Sequence, residues 1–240
     1  MIRLYFSGEV QDHGACRIEG GQAHHVMHVL RLATGDEVVL FDGRGTEYPA
    51  RIERMERAVL TLQVSGRREA NRESPLKVTV AQAISSGERM DYTVQKCVEL
   101  GVSAIQPLTT QRSVVRLAAE RAQRRTAHWQ GVAAGACEQC GRNVLPPVLP
   151  VRPLMNWLGE ARAGACYVLA PNATTRLRDL PCPQEAITVL AGPEGGFGEE
   201  ELLAIRAAGF MPLALGPRVL RTETAAAAAL AAMQAMWGDA

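Results

Sequence analysis

Hydrophobic and polar positions change rhythm near residue 70. Before it, apolar residues alternate or cluster in short runs. Glu37–Phe41 enters a turn at Asp42–Gly45, and residues 47–55 and 58–64 follow as two more strands. One short helix is expected at Gly21–Leu32, where Val26, Val29 and Leu30 share a face. Residues 66–75 are polar, lack a period and end in Pro75, which marks a domain boundary there. Beyond it, strands and helices alternate. A β-branched run at Leu76–Ala83 precedes a helix over Met90–Leu100 with Met90, Val94, Cys97 and Val98 inward. A short strand at Ala104–Leu108 leads to a long alanine-rich, basic helical region from Arg116 to about Cys140. Further on, the pattern predicts helices at Pro153–Ala163, Gly198–Ala208 and Thr222–Trp237, with strands at Cys166–Ala170, Ala186–Ala191 and Pro212–Leu215. Such alternation predicts an α/β domain: a mostly parallel sheet with helices on both faces. Ala225–Ala229 belongs to the terminal helix, because alanine has the highest helix propensity and Leu230, Met233 and Trp237 supply an apolar stripe. A helix so thin lets another backbone approach closely, at a pocket or in a second subunit.

Two glycine-rich turns stand out, Gly192-Pro193-Glu194-Gly195-Gly196-Phe197-Gly198 and Leu215-Gly216-Pro217-Arg218-Val219-Leu220-Arg221-Thr222-Glu223-Thr224-Ala225. Each follows a strand-like run and leads into a helix, so both are expected at the carboxyl ends of strands, where open α/β sheets bind ligands. Neither fits G-x-G-x-x-G, and neither carries a phosphate-loop Lys-Ser/Thr. The first runs into Glu199-Glu200-Glu201, which places carboxylates where a helix N-terminus would otherwise attract a phosphate. A ligand without a phosphate is expected. A dinucleotide-dependent enzyme is disfavoured on the same grounds.

Composition narrows the class. The chain has 240 residues with a formal net charge of +1. Its charge is uneven: residues 71–160 carry eleven basic and seven acidic groups, with Arg112, Arg116, Arg121, Arg124 and Arg125 opposed locally only by Glu120. Such a stretch either tracks a polyanion backbone or forms a solvated helix face. No apolar stretch is long enough to span a bilayer, and Met1–Ser7 is too soon interrupted for a signal peptide, so a cytoplasmic enzyme is expected. The six cysteines are expected to be reduced thiols. Cys137-Glu138-Gln139-Cys140 lacks a second pair, and His24, His25 and His28 lack a third ligand in an H-E-x-x-H pattern, so no metal is expected.

With these residues in view, the chain resembles the RsmE-type 16S ribosomal RNA uridine-N3 methyltransferases of the SPOUT class. The two glycine turns carry the resemblance, together with Arg72–Leu76, Gly87–Met90, Gln95–Val102, Ala136–Asn143, His25–Arg31 and Phe41–Gly43, in family order along essentially the whole chain. It implies an N-terminal PUA-like β-barrel domain over residues 1–71 and a SPOUT domain over residues 75–240 whose C-terminal segment forms a trefoil knot. It further implies a homodimer, S-adenosyl-L-methionine as cofactor, and 16S rRNA of the small ribosomal subunit as partner. The implied cofactor-binding residues are Leu169, Leu190, Gly192, Glu194, Gly195, Gly196, Leu215, Gly216, Leu220, Arg221, Thr222, Thr224 and Ala225. Where the family often carries His-Pro before the first loop, this chain has Ala170-Pro171. A catalytically silent RNA-binding protein of this fold, or a SPOUT enzyme acting on another base, are the alternatives.

The chemistry adds its own requirements. The acceptor nitrogen must be held in line with the transferable methyl. Uracil N3 must lose a proton, to a base or under stabilisation of the developing anion by a cation and hydrogen-bond donors. N3 also lies on the Watson–Crick edge, so the target must be unpaired or flipped. Arg221 is the expected cation, its alternative being an ion pair with Glu223 or Glu194. Glu138 is the candidate base, its alternative plain polarity at a helix end. Arg112, Arg116 and Arg142 are candidate phosphate contacts. Lys96, three residues before Glu99, meets either that residue or the substrate. The resemblance places His25 and Arg31 on the RNA-facing side of the N-terminal domain, with capping or packing as the rival role for His25.

Overall fold

The computed structural model describes residues 1–113, 118–160 and 162–240. The chain divides into two compact units, Met1–Glu73 with Cys137–Leu145, and Ser74–Ala136 with Pro146–Ala240.

In the first unit β1 (Ile2–Tyr5) and β2 (Gly14–Glu19) precede α1 (Gly20–His24), which runs into one π-helical turn at His25–Val29. Then come β3 (Glu37–Phe41), β4 (Thr46–Glu56), β5 (Val59–Val64) and β6 (Arg68–Glu69). The sheet order is β1-β3-β4-β5-β2, with β6 on β4 and only β1–β3 parallel. Alternation sets its faces: Ile52, Leu60, Leu62 and Val64 join Leu4, Ile18, Val38 and Leu40 in the core, and Ala23 and Val26 pack on it from the helical turn. The expected helix at 21–32 is shorter, because its register widens to π after His24 and Arg31 takes a left-handed φ of 54°. The last turn of a later helix also belongs here. Leu145 N–H donates to the Gly43 carbonyl at 3.0 Å and Gly45 N–H to that of Asn143 at 3.1 Å. A Cβ on Gly43 would lie 3.1 Å from Leu145 Cβ, at a φ of 75°, so glycine is required.

In the second unit β7 (Val78–Ala83), α2 (Arg89–Glu99), β8 (Ala104–Thr109), α3 (Ala119–Cys140), β9 (Arg152–Pro153) and α4 (Leu154–Leu158) are followed by β10 (Ala165–Leu169), β11 (Ile187–Ala191), α5 (Glu199–Ala207), β12 (Met211–Leu213) and α6 (Thr222–Trp237). The six strands run parallel in the order β12-β10-β11-β7-β8-β9. All five residues of β11 are buried, as expected of an inner strand covered on both faces. One face packs Ala81, Leu108, Val168 and Leu190 against Leu154, Trp157 and Leu158 of α4 and Ile205 of α5. Helix α6 packs on α2, β7 and β11. Met90, Val94, Cys97 and Val98 of α2 are fully buried. Burial pushes the Cys97 thiol up to about 12, so it behaves as a core side chain. The helix expected over 153–163 ends at Leu158. Arg162 donates to the carbonyls of Trp157, Leu158 and Glu160 and lies 3.7 Å from the Trp157 ring centre, which satisfies the helix's terminal carbonyls from outside.

Candidate functional site at the strand ends

Strands β12, β10 and β11 are neighbours and parallel, so the connections that follow them emerge side by side. These connections enclose a cavity of about 1040 Å³. It is lined by residues 168–175 from the end of β10 onward, most of 191–197 from the end of β11 onward, and most of 212–225 from the end of β12 onward, with Arg89 and part of α5. That is the position at which open α/β sheets take ligands.

In the first loop Gly196 has φ 67° and its N–H closes a turn on the Pro193 carbonyl at 2.9 Å. A Cβ on Gly192 would sit 3.0 Å from the Phe197 ring, so this glycine admits the aromatic that anchors the loop to the core. Glu201 carboxylate oxygens accept from Gly198 N–H at 2.9 Å and Gln111 N–H at 2.7 Å, so a carboxylate does occupy the start of α5. Glu194 accepts from Arg89 Nη1 at 2.8 Å and from the Ser86 N–H and Oγ, both at 3.3 Å. Burial alone would push its carboxyl up. The hydrogen bonds from its own and the Ser86 amide, with the Arg89 guanidinium, outweigh that and hold it below the usual carboxylate range.

The second loop turns at Gly216, whose φ is 109° and whose missing Cβ faces open space. Its end is fixed by a relay through Thr222. The Thr222 hydroxyl donates to the Gly192 carbonyl at 2.6 Å and accepts from Gln82 Nε2 at 2.9 Å. One hydroxyl thus ties both loops to β7. Arg221 lines the cavity and is exposed; among the described residues no hydrogen bond or ion pair engages its guanidinium. The ion pairs considered for it do not form, because Glu194 and Glu223 both face Arg89, at 2.8 and 4.0 Å. Glu223 lines the cavity with Oε2 buried and unpartnered among the described residues. The sequence carried no signal for this: Glu223 reads as a first-turn helix acid. Asn172, Thr174 and Thr175 add polar groups beside Ala170-Pro171.

Of the expected cofactor residues, Leu169, Gly192, Glu194, Gly196, Leu215, Gly216, Leu220, Arg221, Thr222 and Ala225 line the cavity. Three do not line it. Leu190 is fully buried in the core, the Gly195 carbonyl accepts from Arg112 Nη1 at 3.1 Å, and Thr224 lies exposed on α6 without lining the cavity. The other expectations scatter. Arg112 is exposed and tethered to the first loop by that bond, and Arg116 lies outside the described residues. Lys96 pairs with Glu99 at 2.8 and 3.0 Å. Arg142 is 5 % exposed, with its guanidinium on the Glu73 carboxylate, so its charge is already met within the first unit. His25 and Arg31 are exposed in the first unit. Glu138 Oε1, in the same unit, accepts from Tyr5 N–H at 2.8 Å. Burial pushes its carboxyl up, partly offset by that bond and by His25.

Comparison with known proteins supplies the family. Residues 72–234 match a model described as an RNA methyltransferase domain, and residues 18–63 an RNA methyltransferase PUA domain. Ribosomal RNA small subunit methyltransferase E of Buchnera aphidicola subsp. Schizaphis graminum is 31% identical over 99% of this chain and 97% of its own. The Bacillus subtilis protein of that name is 28% identical over 94% and 91%. The Neisseria gonorrhoeae methyltransferase E, solved bound to S-adenosyl methionine, is 39% identical with a TM-score of 0.91, covering 100% of this chain and 99% of that one. A Legionella pneumophila protein solved with bound SAM is 41% identical with a TM-score of 0.96 over the same shares. The chain therefore belongs to the ribosomal RNA small subunit methyltransferase E family of SAM-dependent α/β enzymes with a PUA domain.

Proposed function

We propose that this protein methylates N3 of a uridine in 16S ribosomal RNA of the small subunit, using S-adenosylmethionine held in the cavity at the ends of β10, β11 and β12. The carrying observation is that cavity: two glycine loops tied by Thr222, no phosphate-loop lysine, and a carboxylate already seated at the start of α5. The residues present fit the cofactor. Gly216 leaves space where any side chain would project, and Glu223 Oε2 is a buried acceptor without a donor among the described residues. When bound, the cofactor supplies a sulfonium methyl for in-line displacement. Glu223 is assigned to a cofactor hydrogen-bond donor or its positive charge. Arg221 stabilises negative charge on the uracil as the N3 proton leaves, a role its guanidinium, unengaged among the described residues, can fill. Glu138, occupied by the Tyr5 amide, takes no step.

The same proposal assigns residues 1–71 as the PUA-like RNA-binding domain and residues 75–240 as the knotted catalytic domain of a cytoplasmic homodimer. The PUA-domain match at 18–63 supports the first assignment. The alanine-rich α6 supports close backbone packing. Mass spectrometry of 16S RNA from a strain lacking the gene is the test. Loss of one N3-methyluridine, restored by the wild-type gene, is expected; unchanged methylation overturns the substrate.

A further inference from the structure

A second concavity, of about 480 Å³, lies in the same unit where the first turn of α2 meets the first half of α3. Arg121, Arg124, Arg125 and His128 line it, at spacings i, i+3, i+4 and i+7, which puts them on one helix face. Asp91 is its acidic member, and both its oxygens are spent: Oδ2 on His128 Nε2 at 2.8 Å and Oδ1 on Trp129 Nε1 at 3.1 Å. Arg124 meets Glu120 at 3.7 Å, but both side chains are at least 80% exposed, so that pair competes weakly with another anion. Arg121 has no hydrogen bond or ion pair among the described residues, and Arg125 only a cation–π contact, 6.0 Å over the Trp129 ring.

We propose that this groove is a phosphate track for the RNA strand flanking the methylated nucleotide. The inference rests on the proposed RNA substrate. Its chemistry is specific on three counts. Guanidinium groups fit phosphate oxygens bidentately. The row spans about 10 Å of helix, enough for roughly two or three successive phosphates. Trp129 is 1% exposed, so no base can stack on its indole, and the exposed His128 ring is tied to Asp91, which leaves the guanidinium row to meet the backbone. An acidic protein surface would also find charge here, but among the described lining residues no exposed apolar anchor of the kind protein interfaces use.

The test compares the full-length protein with Arg121→Gln and with Arg121→Gln/Arg125→Gln, on a protein-free 16S RNA transcript and on assembled small subunits across a salt series. Each lost contact to single-stranded RNA should flatten the slope of log K against log salt by about 0.7, so the double variant should lose about 1.4. S-adenosylmethionine affinity and melting temperature should stay at the parent's values. Arg121→Gln leaves the Trp129 packing untouched and keeps the test valid if the double variant unfolds. Slopes equal to the parent's on both substrates overturn the proposal. So does weakened binding to subunits with unchanged binding to the transcript, which would assign the groove to a protein. A parent that binds RNA with the expected slope change but neither binds the cofactor nor methylates RNA would refute the proposed enzyme and leave the groove standing.

Discussion

Replacing Thr222 by valine tests how the two loops are joined. Valine keeps the β-branched shape and removes only the hydroxyl, which is 2.6 Å from the Gly192 carbonyl and 2.9 Å from Gln82 Nε2. Thr222 is 8% exposed and Gln82 fully buried, so water cannot readily replace either bond. Gln82 Nε2 retains the Ala83 carbonyl at 2.9 Å, which softens the loss on that side. The Gly192 carbonyl is left without this donor, at roughly 1–3 kcal/mol, and the weakened Gln82 bond adds about 0.5–1.5 kcal/mol. A total of about 1.5–4.5 kcal/mol then opposes the joined state of the loops. If half of it falls on ligand binding, S-adenosylmethionine should bind roughly 3- to 40-fold more weakly, since about 1.4 kcal/mol is tenfold. Calorimetric titration of wild type, Thr222→Val and Thr222→Ser reads this, with thermal unfolding alongside. Serine should stay within about threefold of wild type, because it keeps the hydroxyl. Valine equal to wild type in both affinity and melting temperature, or serine as weak as valine, refutes the hydroxyl relay.

Arg221→Ala should lower kcat by about 10²–10³ while the cofactor dissociation constant moves by less than about threefold; a loss confined to cofactor affinity would make Arg221 a binding residue. Glu138→Gln should leave methyl transfer intact and raise the melting temperature slightly at neutral pH. The folded carboxyl is raised, so ionising it costs stability as pH rises through its titration range, and glutamine removes that cost while still accepting from Tyr5. A collapse of kcat in a folded Glu138→Gln protein would restore it as the base. Glu194 behaves oppositely. Its folded carboxyl is lowered, so its contacts stabilise the first loop above the ordinary carboxylate pKa and are lost as pH falls through the lowered value. A Glu194→Gln variant should therefore show a shallower loss of melting temperature under acid than wild type.

The sequence by itself determined which segments would be helix or strand wherever one face is apolar. The stripe Met90, Val94, Cys97 and Val98 is fully buried, and the run Ile187–Ala191 became an inner strand because it is apolar on both faces. It also placed the glycine turns, since the 3.6- and 2-residue periods end where they begin. Strands β1 and β2 escaped, being short runs interrupted by charge or glycine, and the helix at 154–158 was overestimated because its stop is Arg162, beyond the helix itself. Tertiary structure alone decided the partners. Gln82 and Thr222 are 140 residues apart, and Arg142 and Glu73 are 69 apart. Neither type nor spacing told the buried, paired Arg142 from the exposed Arg221, which has no ion pair among the described residues, or left Glu223 Oε2 without a donor among them. Periodicity is a local property set by backbone geometry. Whether a polar atom is satisfied depends on which distant segments the packed sheet brings within about 3 Å of it.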